Sequence, residues 1–379
     1  MVMLWTFPVL FFLFLLEKFI FTKLWDRNLS VDISFDRGET VEGENCLLKE
    51  TVTNGKFLPL PVFRVGFQVG SGLDVSNGSN VTTTDKTNVI DVFSLRRFER
   101  ITRTLDVDCR KRGFYTILRT SIESSDLTGG VSFYKNIKQN TEMYVFPHFV
   151  NPIELETALE QLTGSVVSKR FLYEDVFTFR GIRDYVPTDN ISSINWKASA
   201  RTGSPMVNLH EPTSGKEVVI LLNVEEPAIR YDSDLLEYDI RLALTIAVNL
   251  VNDHIPVGIR SNGRDTISGA TLEIEPGSSR EHTKRIAMGL SRINLLKPKA
   301  DFPEMIRGER IWNRSSGACN SSNVTYCIIS SSQRDDTIES ISQLADETGG
   351  VFWFCPLNKD MVVKVEDKTG RLNFRRITL

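Results

Sequence analysis

The sequence predicts an α+β multidomain chain: an N-terminal transmembrane helix, an antiparallel β-sandwich, and an open α/β sheet. Three observations carry that prediction. An apolar run opens the chain, period-two alternation marks the stretch from Leu29 to about Thr141, and beyond Val218 short apolar runs alternate with helical patterns. The boundaries fall at 1–24 for the helix, 28–141 for the sandwich, 142–216 for a bridge and 217–379 for the α/β part. A length of 379 residues suits two domains plus a connection. With 41% hydrophobic and 25% charged residues, the composition is that of an ordinary folded chain.

Met1 to Leu16 contains a single polar residue, Thr6, and Phe19, Ile20 and Phe21 extend the run past Glu17 and Lys18. Leu4 to Thr22 nearly crosses a hydrocarbon core of roughly 30 Å at about 1.5 Å per residue. A cleaved signal would carry Lys or Arg before the run and small residues after it, and both are missing. Lys18, Lys23 and Arg27 follow the run, so the expectation is a single-pass cell-membrane anchor with the C-terminal domains cytoplasmic.

The second segment reads as short strands. Leu29 to Phe35, Val62 to Val69, Ile101 to Val107 and Val131 to Phe133 carry strand patterns, separated by turn signals at Gly38, Asn54-Gly55, Asn77-Gly78 and Gly129-Gly130. Strands without intervening helical patterns imply a sandwich or barrel. The basic cluster Arg96, Arg97 and Arg100 reads as a solvated strand edge. A net charge of −3 and a pI near 6.0 argue against nucleic-acid binding.

The bridge holds the densest segment of the chain. Between Phe177 and Arg201 it packs Arg180, Arg183, Asp184, Asp189, Lys197 and Arg201 among Phe179, Tyr185 and Trp196. Both charge signs and large aromatics without a sustained period indicate an ordered loop held by specific contacts. Three readings stay open: an Asp–Arg ion-pair clasp, a partner-binding surface with Trp196 as its apolar body and Lys197 or Arg201 as its rim, or catalysis by Asp184 and Asp189.

Two patterns run through the segment: F-x-G-x-R-x-Y-x-P-x-D from Phe179 to Asp189, and I-x-W-x-x-S-A-R from Ile194 to Arg201. They resemble the signature of the bacterial family called domain of unknown function 58. Arg112-Gly113-Phe114-Tyr115, and Ser125-Asp126 before Gly129, also look like that family. The chain departs from it at Thr188, where glycine is usual, and at Ser192-Ser193, where arginine is common. The resemblance makes Arg180, Arg183, Tyr185, Asp189, Trp196 and Arg201 the candidate interaction residues. It also implies a MoxR-type AAA+ ATPase as partner, because family members are commonly associated with one.

In the last segment Val218 to Leu222 is a continuous apolar run, as for a parallel strand buried on both faces. Asp232, Ser233 and Asp234 can cap a helix whose apolar face is Leu236, Ile240, Ala243, Leu244, Ala247, Leu250 and Val251. A strand from Ile255 to Ile259 follows, then a helix started by Ser278 and Glu281. Next come a strand from Val324 to Ile329, a helix bearing Ile338, Ile341 and Leu344, and a strand from Val351 to Cys355. Met361 to Val365 and Arg371 to Phe374 read as a terminal hairpin.

This half resembles a von Willebrand factor A domain. Such domains often bind Mg²⁺ through D-x-S-x-S after the first strand, where hard oxygen ligands converge. Here Asn223 stands for the aspartate, and Glu225 and Pro227 stand for the serines, so the expectation is a degenerate site and no metal. No dinucleotide, phosphate-loop or nucleophile-elbow motif occurs, and the four histidines lack ligand spacing. The five cysteines form no C-x-x-C pair and read as reduced thiols. The functional expectation is therefore a membrane-anchored, non-enzymatic adaptor without a cofactor. Two alternatives stay open: a metal-dependent ligand-binding protein or enzyme using the acidic loop 223–234, and a structural role in cell-envelope assembly.

Overall fold

In the computed structural model, strand outweighs helix among the described residues. It describes residues 2–76, 81–83, 86–126, 131–150, 153–172, 174–186, 194–212, 217–225, 233–315, 324–348, 350–359, 361, 363–365 and 371–378. The chain divides into two compact units, 1–148 and 149–379.

The first unit begins with helix α1 (Val2–Leu24). Among the described residues no helix is long and apolar enough to cross a membrane, which overturns the expected transmembrane anchor. Glu17 and Lys18 place charges within the apolar run, and the far end of the helix is committed to packing. Phe21 and the following Trp25 are buried and stack on Phe133, with ring centroids at 5.7 and 5.6 Å.

Ten strands follow among the described residues: β1 (Leu29–Phe35), β2 (Glu39–Val41), β3 (Asn45–Asn54), β4 (Leu60–Gly70), β5 (Leu73–Ser76), β6 (Val81–Thr83), β7 (Lys86–Leu95), β8 (Arg100–Cys109), β9 (Gly113–Ser125) and β10 (Ser132–Phe146). They form a four-stranded sheet, β1-β3-β8-β5, and a six-stranded sheet, β2-β10-β9-β4-β7-β6. All pairs are antiparallel except β2 with β10. Inward residues of both sheets, among them Ile33, Leu48, Leu105, Phe63, Val65 and Ile117, join one apolar cluster. Alternation explains the pairing: β3 buries Cys46, Leu48, Glu50, Val52 and Asn54, which are every second residue.

The Arg112 to Tyr115 motif has a packing role here. Tyr115 donates its hydroxyl to Lys111 O at 2.7 Å, and a Cβ at Gly72 would lie 1.9 Å from that oxygen. Only glycine therefore fits under the ring at position 72. Arg96 and Arg97 lie in the β7–β8 turn rather than on a strand edge, and the Arg97 guanidinium sits 5.3 Å from the Phe57 ring centre. Cys46, Cys109, Cys327 and Cys355 are free and buried, with the first two sulfurs 3.8 Å apart; Cys319 lies outside the described residues.

The second unit contains α2 (Ile153–Leu172), β11 (Glu174–Asp184), α3 (Trp196–Thr202) and β12 (Met206–Pro212). The expected loop of the signature is thus a pair of antiparallel strands joined through a short helix. The seven residues of α3 fall below the window over which a helical period can be read.

Next come β13 (Glu217–Leu222), α4 (Ser233–Asn252), β14 (Val257–Asp265), β15 (Thr271–Gly277), α5 (Arg280–Ser291), β16 (Ile293–Asn294) and α6 (Phe302–Ser315). The chain finishes with β17 (Val324–Ile329), α7 (Asp335–Thr348), β18 (Val351–Leu357) and β19 (Leu372–Thr378). The sheet order is β15-β14-β13-β17-β18-β19, with β16 beside β14. Strands β14, β13, β17, β18 and β19 pair in parallel, and β15 is antiparallel to β14. Every residue of the expected α4 face is buried.

Two details differ from the sequence reading. Ser279 rather than Ser278 caps α5, accepting the His282 N–H at 3.1 Å. The terminal hairpin is replaced by β19 extending the main sheet. Trp353 and Phe374 meet edge to face at 5.4 Å, a contact that attaches β19 to β18.

Candidate functional site

The signature elements are tied together by side chains. Asn195 caps α3, accepting the Ala198 N–H at 3.0 Å and donating its amide to Asn208 Oδ1 at 2.7 Å. Ser199 donates to Asn195 O and accepts the Met206 N–H, both at 2.8 Å. Gly203 ends the helix in the left-handed region, at φ 77°, with its N–H on Ser199 O. An isolated helix of seven residues would not hold in water, so these bonds fix its position.

None of the residues of α3 is buried. Trp196 is 72% exposed, which removes the buried-clasp reading of this side chain. Lys197 and Arg201 are also exposed, one turn apart. With Ile182, Ala198 and Met206 they line a pocket of about 320 Å³ that Asn195 and Thr202 complete. No acidic side chain lines it among the described residues. Sequence reasoning found Trp196, Lys197 and Arg201 but missed Ile182 and Met206, which come from the two strands and meet α3 only through the fold.

The other candidates are placed as follows. Arg183 donates to Asp184 O at 3.0 Å, and the Tyr185 N–H bonds Pro205 O at 2.9 Å. Both stand at the end of β11, and Asp184 is exposed. The side chain of Arg180, and Asp189 entirely, lie outside the described residues, as do Thr188 and Ser192-Ser193.

A second place of interest is the carboxyl edge of the parallel sheet. β14 and β17 flank β13 on opposite sides, so the order reverses between β13 and β17. Open sheets offer a crevice at such a point. Asn223 stands there, 1% exposed. Its Nδ2 donates to Ser330 Oγ at 3.0 Å, and its Oδ1 accepts from Glu225 N at 2.9 Å and from Asn262 Nδ2 at 3.0 Å.

Glu225 accepts the Phe302 N–H at 3.0 Å and pairs with Arg334 at 2.8 Å. Arg334 also faces Asp301 at 3.8 Å and Asp336 at 3.3 Å. The guanidinium thus brings to these carboxylates the positive charge that a divalent ion would bring. Asp239 of α4 is fully buried, and burial pushes its carboxyl well above the usual range, against the opposing Ser331 hydrogen bond at 2.8 Å. An acid held neutral is a poor cation ligand. Glu226, Pro227 and Asp232 lie outside the described residues.

Among the described residues no group of three or more His, Cys, Asp or Glu side chains can hold a metal. Sequence reasoning missed Arg334 and the serines 330–332, whose only signal was a hydroxyl run closing an apolar strand. Millimolar Mg²⁺ or Mn²⁺ is expected to leave the melting temperature of the full chain unchanged. A saturable rise at micromolar metal, abolished by Glu225→Gln, would show a site after all.

Comparison with curated proteins finds no match. Among solved structures, a non-cellulosomal cohesin from the hyperthermophilic archaeon Archaeoglobus fulgidus is 12% identical, over 31% of this chain and 91% of that one, with a TM-score of 0.22. The full-length major pilin SpaD from Corynebacterium diphtheriae is 11% identical, over 31% of this chain and 34% of that one, with a TM-score of 0.23. At these scores neither likeness bears on function. Residues 181–305, from the middle of β11 to the first turn of α6, match the family model described as "Protein of unknown function DUF58". The match takes in the end of β11, α3 and β12, and so supports the likeness to that family which the signature carries.

Proposed function

We propose that this chain is a protein-interaction or adaptor protein that docks its partner through the signature surface, and that the partner is a MoxR-type AAA+ ATPase. The observation that supports the reading is Trp196, 72% exposed on a helix fixed by its cap and beside two exposed cations. A large aromatic held in the open on a rigid element is the usual anchor of a protein interface. The closed hydrogen bonding of Asn223 and Glu225 gives no support to the metal-dependent alternative.

Trp196→Ala tests this. At so exposed a position the substitution should change stability by no more than about 0.5 kcal/mol, hence the melting temperature by about 2 °C. Binding to a purified MoxR-type ATPase from the same source should fall at least about tenfold. A strongly lowered melting temperature would return the residue to a structural role, and undiminished binding would remove it from the interface.

A further inference from the structure

We propose that the pocket between α3 and the β11–β12 pair receives an acidic peptide segment carrying an aliphatic side chain. The inference rests on the interaction reading and adds the chemistry of what is recognised. Lys197 and Arg201 are four residues apart on one helix, so their side chains leave the same face and stand about one turn apart. Neither has a hydrogen-bonding or ion-pair partner among the described residues.

Three other arginines of this unit are matched: Arg310 to Glu347, Arg334 to Glu225, and Arg292 to Asp265 at 3.0 Å. Two adjacent cations with no carboxylate partner among the described residues, above a pocket that no described acid lines, are complementary to negative charge supplied from outside. The chain as a whole is slightly acidic, at −3, so the cations select by position rather than by bulk attraction.

The floor determines the rest of the ligand. Ile182 is 41% exposed and forms an apolar base with Ala198 and Met206. A phosphate or sulfate alone would leave this surface wet, whereas an aliphatic side chain seated on it removes apolar area from water. The volume of about 320 Å³ sits at the lower limit of small-ligand pockets, room for one or two side chains rather than a cofactor.

The walls are preorganised. Asn195, Ser199 and Asn208 hold α3 against β12, so little ordering is required on binding. Carboxylates on either side of a leucine or isoleucine would meet Lys197 as a point charge and Arg201 as a fork. Nucleic acid fits less well, since two cations neutralise few phosphates and an apolar floor offers the backbone nothing.

The full chain would be titrated by fluorescence anisotropy with a labelled peptide of alternating acidic residues and leucines. Companion probes would replace the acids by Asn and Gln, replace the leucines by Ser, or be a single-stranded oligo-dT. The acidic leucine peptide should bind saturably, at least about tenfold tighter than either altered peptide. Its affinity should fall as salt rises from about 50 to about 300 mM. Lys197→Gln with Arg201→Gln should weaken it by about tenfold or more and flatten the salt dependence. Ile182→Ser should erase the preference for leucine over serine.

Equal binding of the neutral peptide, no loss in the double variant, or tighter binding of oligo-dT would each overturn the proposal. Melting temperatures of the variants, all at exposed positions, verify that they are folded. If ATPase binding survives Lys197→Gln/Arg201→Gln but is lost in Trp196→Ala, the acidic-peptide inference fails and the adaptor reading stands. Loss of peptide binding in the double variant while the ATPase is bound by neither wild type nor variant leaves the peptide site and removes the ATPase.

Discussion

Replacing Glu50 by glutamine is expected to stabilise the β unit by about 3 kcal/mol at pH 7 and to remove most of its pH dependence between pH 5 and 8.5. Glu50 lies on the inward column of β3 and Asp91 on that of β7, and both are 0% exposed. Arg103 reaches Asp91 at 2.8 Å. No N–H or hydroxyl among the described residues satisfies the Glu50 oxygens, and the neighbour they face is the Asp91 carboxylate. Burial, then the hydrogen bond to Asp91 and its charge, raise the Glu50 carboxyl from 4.5 to about 9, against the smaller pull of Arg103.

The folded state therefore holds a proton that the unfolded state has lost across this window. Stability from this group is complete below about pH 4.5, declines as pH rises, and is gone above about pH 9. The slope is about 1.4 kcal/mol per pH unit, so roughly 3 kcal/mol is lost by pH 7. Glutamine has the shape of the protonated acid and keeps a donor toward Asp91, but it does not titrate. Urea denaturation of both proteins at pH 5, 7 and 8.5 measures the gap. It should be small at pH 5 and widen steadily; parallel curves would mean that Glu50 is charged or solvated in the native state.

That pair shows where the sequence was legible and where it was not. Strict alternation in β3 announces which residues face inward, and it places Glu50 there as plainly as Leu48. What alternation cannot supply is the partner, because Asp91 comes from another sheet through a packing no local pattern encodes. The continuous apolar runs of β13 and β18 and the α4 face were readable for the same local reason: burial on both faces of a strand, or on one face of a helix, leaves a period.

The N-terminal run misled because apolar content was weighed above the two charges at Glu17 and Lys18 and the commitment of Phe21 and Trp25 to the core. The signature segment was readable as a motif but not as elements, since α3 depends on Asn195 and Ser199 bonds to β12 rather than on an apolar stripe. Asn223 was noticed as a missing ligand. That Ser330 and Asn262 complete its hydrogen bonding follows only from the strand order.

Arg260→Met is expected to destabilise the second unit by about 3–5 kcal/mol. Arg260 projects from β14 at 13% side-chain exposure, and its guanidinium bonds Glu309 of α6, which is only 6% exposed. The Tyr326 hydroxyl donates to the other Glu309 oxygen at 3.3 Å, a long bond that cannot carry the charge alone. Without the arginine a carboxylate stays buried between helix and sheet, and the cost lies in that uncompensated charge rather than in the lost attraction. Glu273 and Glu275 also approach Arg260, at 3.3 and 3.9 Å, but at 60% and 77% exposure they are screened by water. Glu273→Gln should therefore change stability by less than about 1 kcal/mol. The double variant Arg260→Met/Glu309→Leu separates the two accounts. If the buried charge is the cost, removing it as well should restore most of the stability, and the two substitutions should couple by 2 kcal/mol or more, roughly the upper part of the range for residues in contact. Urea denaturation of the wild type, both single variants and the double variant closes the cycle. Additive losses would mean that Glu309 is hydrated or protonated in the single variant, and that the pair holds α6 to the sheet by packing alone.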